Sequence, residues 1–244
     1  MAIYVDTKTF IRETSMRTTG MTLMRWAGLA AVLAGLCYIV VGLLHPANVP
    51  SSVTTPAWAY VHYAATAMGL FGIFGMVGLH ARQAEKSGWL GTTGFVMFGL
   101  WLGLMMCLSF IEAFLLPLMA DQAPAFVAGF LGMFTGAASQ VDLGMLPTLW
   151  NISGPLYILG GLLFGIGTFR ARILSRWAAA LVGLGAALGP TAAFFPPQLT
   201  GIIAVPVGVG LAWLGYSLMI ERPEQTLDAV PQPGSARPGA ARAA

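Results

Sequence analysis

What most limits the fold of this chain is the recurrence of apolar runs about twenty residues long, separated by short polar or basic segments. As an α-helix, a run of that length crosses a hydrocarbon layer about 30 Å thick. Inside lipid every backbone N–H and C=O must find its partner within the protein, which leaves helices as the solution for such runs. Only 9% of the residues are charged, against roughly 25% in soluble chains, so there is no material here for a large water-facing domain. The expectation is an all-α polytopic membrane bundle of six transmembrane helices.

The boundaries follow from proline, tryptophan and charge. The first span runs from about Trp26 to Leu44 and stops at His45-Pro46, because proline continues a helix only at high cost. The second runs from about Ala57 to Leu79, and the third from Trp89 to about Met119, longer than a bilayer requires. Residues 120–150 form the one long connection, and Pro124–Phe134 within it is apolar but too short to span. That segment reads as an interfacial or re-entrant helix in the outer loop. The fourth span is about Ile152–Phe169. The fifth is about Trp177–Phe195 with a kink at Gly189-Pro190, and the sixth is about Leu199–Ile220, interrupted at Pro206. Residues 1–23 read as a cytoplasmic N-terminal arm, 24–220 as the six-helix domain, and 221–244 as a disordered cytoplasmic tail rich in Pro, Gly and Ala.

Charge then orients the bundle. All 12 Lys and Arg residues fall on the N-terminal arm, on two loops of one side, or on the C-terminal tail, and the opposite side receives none. Cytoplasmic loops collect Lys and Arg, so both termini are expected in the cytoplasm. Trp26, Trp89 and Trp177 each open an outward-going span at that interface, where amphipathic rings prefer to lie.

Several functions find no footing in the residues. Cys37 and Cys107 lack the spacing of a metal or redox motif and read as small buried hydrophobes. There is no phosphate loop, no hydrolytic triad and no basic stripe for nucleic acid. Small residues recur at close spacing, as in Ala27, Ala31 and Gly35 or Gly161 and Gly165, and they let helices approach one another in lipid. Such faces serve packing within the bundle, or a helix–helix oligomer or membrane-complex partner.

Chemistry concentrates on Glu112, a carboxylate within the apolar stretch Leu108–Asp121. An ionised carboxylate at mid-membrane costs at least about 2.5–3.5 kcal/mol, so Glu112 should face inward and have a partner. His62 lies at a similar depth, about 8–10 Å from the same membrane face. At 3.6 residues per turn His62 and Thr66 share a face with Gly69, Met76 and His80, while Ser109 and Glu112 share one with Gly94, Phe98, Trp101 and Met105. His45 marks the end of the first span and Asn151 the start of the fourth.

Two readings stay open. One is a polar pocket, open to the outer side and centred on His62 and Glu112, with Ser109, Thr66 and Asn151 as further contacts for a small or lipophilic ligand. The other is a hydrogen bond that only fixes two helices. His45, His62, Glu112 and Asp142 also form an N/O set suited to a divalent metal, although no HExxH or ExxH motif accompanies them. No other cofactor is expected. Binding or transport is therefore the leading expectation. A metal-dependent membrane enzyme and a non-catalytic accessory subunit are the alternatives.

Asp142–Leu149 (DLGMLPTL), Gly161–Arg172 (GLLFGIGTFRAR) and Arg176–Leu181 (RWAAAL) resemble segments of small, uncharacterised multi-pass proteins from high-GC bacteria. The resemblance covers roughly residues 24–220. It implies a bacterial plasma-membrane protein, and it carries no activity or ligand.

Overall fold

The computed structural model describes residues 7–194 and 200–220. The first six residues, residues 195–199 and the tail at 221–244 lie outside the described residues. Almost all of the described chain is helical, and no strand occurs among the described residues. Helix α1 (Thr7–Leu44) begins well inside the stretch expected to be an arm and runs unbroken to the end of the first span. Nothing between Thr7 and Arg25 breaks a helix except Gly20, and one glycine costs only about 1 kcal/mol.

Helix α2 (Pro56–Phe110) starts on a well-formed cap. Thr55 Oγ1 accepts the Trp58 N–H at 3.3 Å, and Pro56 occupies a position where no N–H is needed. The helical run does not stop at Leu79. It continues through the basic residues to Gly88, where φ of 59° and ψ of −160° reverse the chain in one residue. Only glycine adopts that conformation without strain. The arms 56–87 and 89–110 pack antiparallel, with Gly69 against Leu102 and Met106. The second arm continues through a π turn, Ile111–Leu115, into the short helix α3 (Leu116–Met119).

Helix α4 (Pro124–Thr135) fills the long connection, and Gly136 ends it in the left-handed conformation. Helix α5 (Leu146–Ala171) follows, then α6 (Arg176–Ala187), which stops short of the expected span. Gly189-Pro190 ends the α-helix there, and the chain proceeds as a 3-10 turn, Gly189–Phe194. A second 3-10 turn, Thr200–Ala204, leads into α7 (Val205–Ile220). Pro206 therefore falls in the first turn of α7, where its missing N–H is harmless.

Small residues close these helices into a ring. Gly75 and Gly78 of α2 meet Ala31 and Ala27 of α1. Gly94 and Gly91 meet Phe164 and Gly167 of α5, and Gly165 meets Gly183 of α6. Gly185 meets Val207 of α7, whose Gly208 and Gly215 return to Gly35 and Gly28 of α1. Backbones approach this closely only where a side chain is absent, which is how helices associate when lipid removes the hydrophobic drive between them.

Among the described residues, four helical stretches are long and apolar enough to cross a membrane: Thr19–Leu44, Pro56–Met119, Leu146–Ala171 and Gly201–Ile220. Large apolar side chains such as Phe74, Leu100, Leu118 and Leu184 point outward from the ring, as they would toward lipid. These helices have the length and composition of membrane spans, and they suggest a helical membrane protein. Cys107 also lies on an exposed face, contrary to the buried position expected of it, because its helical phase turns it away from α5.

Candidate binding site

The helical ring has two ends of different character. Arg82, Lys86, Arg170, Arg172 and Arg176 gather at one of them, close to the Gly88 reversal and the Gly91–Gly167 contact. At the other end a second apolar cluster, including Val53, Trp58, Leu116, Val127 and Phe130, places α4 over the mouth of the α2 hairpin. His62 and Glu112 lie beneath this cap.

The two side chains face each other across the hairpin. His62 Nε2 is 3.5 Å from Glu112 Oε1, with the side chains 1% and 8% exposed. Protein closes around both. The His62 ring is set by its own helix: Nδ1 lies 2.8 Å from the Trp58 carbonyl. A carbonyl only accepts, so Nδ1 carries a hydrogen, and Nε2 is the nitrogen left facing the carboxylate. Nε2 has no other partner and is not aligned for a regular hydrogen bond. Two lone pairs cannot face each other favourably in a buried space, so one proton belongs between these atoms, on either the imidazole or the carboxyl.

Pro117 explains the local backbone. In the π turn the Leu116 N–H bonds back to the Ile111 carbonyl, where an α-helix would have bonded it to Glu112. Pro117, next in line, has no N–H to offer. The Glu112 carbonyl is thereby released, and the Trp58 indole N–H donates to it at 2.8 Å. Trp58 thus binds the backbone of Glu112 through its indole and the ring of His62 through its carbonyl. Its own ring also lies 4.0 Å from that of His62. The pair is held in register by one tryptophan.

The remaining expected contacts divide. Ser109 is buried one turn before Glu112. Thr66 donates its hydroxyl to the His62 carbonyl at 2.8 Å, so that group is already committed to the helix. His45 packs edge-on against His62 with ring centroids 5.0 Å apart, and its Nδ1 donates to the Pro46 carbonyl at 2.7 Å. Although His45 is exposed at the end of α1, the protein crowding its ring lowers its pKa, and the charge of His62 adds to that. The Pro46 hydrogen bond and Glu112 oppose the shift.

The metal set does not assemble. Asp142 is exposed and caps its own turn, accepting the Gly144 N–H at 2.8 Å. Among the described residues no three His, Cys, Asp or Glu side chains converge on one point.

The pocket is also displaced from its expected centre. A cavity of about 390 Å³ opens between the second arm of α2 and the start of α5, lined by Trp101, Met105, Trp150, Asn151 and Tyr157, and not by His62 or Glu112. Met105 packs against both apolar clusters, and Trp150 against the cap, so cavity and pair are neighbours. Of the expected ligand contacts, Asn151 alone lines the cavity. Trp58, Trp150 and Tyr157 give no signal in the sequence because aromatic residues in a membrane span read as filling, and Trp101 shows there only as a neighbour of Glu112 on one helix face. The prolines were the available signal, since Pro117 and Pro155 stand five and four residues after Glu112 and Asn151.

No known protein family matches the chain, and no curated protein or solved structure is significantly similar to it.

Proposed function

We propose that this is a six-span protein of the bacterial inner membrane, with both termini cytoplasmic, that binds and moves a small lipophilic molecule. In this reading the His62–Glu112 pair is its proton-bearing element. The six spans are the four long apolar stretches, with the second counted as two arms, together with α6 and its 3-10 extension. The observation that carries the functional reading is the burial of an imidazole and a carboxyl 3.5 Å apart in a lipid-embedded bundle. Ionisable groups at such depth mark substrate or proton pathways by default. A purely structural link would be served by a neutral pair, as Gln83 and Thr168 serve near the basic end, where the amide donates to the hydroxyl at 2.7 Å.

The accessory-subunit reading draws less support, because most of the glycine faces are used up inside the ring. The test is flux. With the full-length protein in proteoliposomes and a pH-sensitive dye trapped inside, a gradient of a lipophilic hydroxyl compound such as 2-naphthol should drive a change of internal pH. Glu112→Gln should slow that change at least ten-fold. A rate equal to wild type would refute the proton-bearing role.

A further inference from the structure

We propose that the cavity between α2 and α5 is the binding site for a flat, uncharged, lipid-soluble ring compound carrying a hydroxyl or N–H group. The proposal rests on the reading of the protein as a binder of lipophilic small molecules, and it names where and what.

The volume of about 390 Å³ falls within the roughly 300–1,000 Å³ of small-molecule sites. Three aromatic rings, Trp101, Trp150 and Tyr157, form most of the wall, and Met105 adds an adaptable thioether. The Trp101 and Tyr157 rings lie 4.7 Å apart and tilted, leaving ring faces and edges for an aromatic guest. No Lys, Arg, Asp, Glu or His lines the space, so nothing there would compensate a full charge on the occupant.

Beyond the Tyr157 hydroxyl and the two indole N–H groups, polarity enters at Asn151. Asn151 presents a side-chain amide that offers both a donor and an acceptor. Its backbone carbonyl also lacks its regular helix donor, because the residue four positions on is Pro155, inside α5. Ser153 adds nothing, since its hydroxyl is given to the Trp150 carbonyl at 2.6 Å. The amide oxygen of Asn151 and the carbonyl that Pro155 frees are acceptors a guest's hydrogen can satisfy, which favours a guest that brings one. Gly154 supplies the room: a Cβ built on it would meet nothing within 4 Å.

That last feature gives a clean test. Full-length protein in lipid nanodiscs, referenced to empty discs, should bind 2-naphthol saturably and more tightly than naphthalene, which has no hydrogen to donate. Gly154→Leu should weaken 2-naphthol binding at least ten-fold while the thermal transition stays level or rises, since leucine is the better helix former. Should that variant fail to fold, Met105→Phe fills the same space from the facing helix. Asn151→Ala should weaken 2-naphthol about five-fold, the size of one hydrogen bond, and leave naphthalene unchanged.

Saturable binding indifferent to both cavity-filling variants, or no saturable binding at all, would overturn the proposal. So would a preference for phenyltrimethylammonium over 2-naphthol. Glu112→Gln separates the site from the reading beneath it. If naphthol binding needs the cavity but flux ignores Glu112, the site stands and the proton-bearing role falls. If flux needs Glu112 but ignores the cavity variants, the role stands and the site falls.

Discussion

The two ends of the bundle solve the same problem differently. Near the basic end, helices touch through glycine: Gly91 lies on Gly167, Gly94 on the Phe164 backbone, Gly78 on Ala27. The polar link there is neutral, and the amide and hydroxyl of Gln83 and Thr168 are buried. Near the capped end Gly42 of α1 still lies on Gly201, but around α2 and α5 glycine gives way to Trp58, Trp101, Trp150 and Tyr157, the helix loosens into a π turn, and a cavity opens. The polar link there contains two titratable groups. Glycine contacts allow no rearrangement, because the obstacle to movement is backbone, whereas aromatic and methionine packing can adjust. The tight end anchors the ring, and the loose end has the freedom that binding needs.

The harshest way to break this contrast is to add a side chain at each end. Gly94→Leu would drive its Cβ into the Phe164 backbone. Overpacking costs about 1–3 kcal/mol where side chains can yield, and here none can. We expect essentially no monodisperse protein by size-exclusion chromatography, where Gly154→Leu gives normal yield. Equal yields would erase the distinction between the ends.

Next in size is the loss of a partner from each polar link. Glu112→Ala strands His62 in a buried space and should cost about 3 kcal/mol. Gln83→Leu should cost about 1 kcal/mol or less, because its Oε1 already has no partner and a neutral amide is cheap to replace. Thermal unfolding in detergent reads both. If the Gln83 variant proved the more damaging, the pair at the capped end would not be the costly one.

Much of the basic end was legible in the sequence. Glycines at helical spacing predict close helix contacts, and the contacts occur where the spacing places them. The placement of Lys and Arg likewise foretold a common basic end. The phase of His62 and Glu112 put them on facing sides of one hairpin, since an ionisable group in lipid has few other places to point. Other features depended on local backbone chemistry that periodicity does not encode. Gly88 could be recognised as glycine but not as a one-residue reversal, because the same residue within a helix merely weakens it. Pro117 could have produced a kink, a break or a π turn. The π turn is paired with Trp58, distant in sequence, whose indole N–H donates to the released Glu112 carbonyl. The cavity arose from α5 and α2 together, and no single segment carries its outline.

The smallest expected effect is a pH slope confined to the capped end. His45 has its pKa lowered from the usual 6.5, first by the protein packed around it and then by His62. The charged groups around it are His62 from α2 and Glu112 from the π turn, while α4 contributes no titratable side chain. Between the lowered value and 6.5 the unfolded chain binds more protons at this position than the folded one. Stability therefore rises with pH across that window and is lost as pH falls through it. Wild-type protein should show this loss just below pH 6.5, and His45→Gln should flatten it while leaving stability near pH 8 unchanged. The basic-end control, Gln83→Leu, should keep the slope. A slope that survives in His45→Gln would refute His45 as its origin.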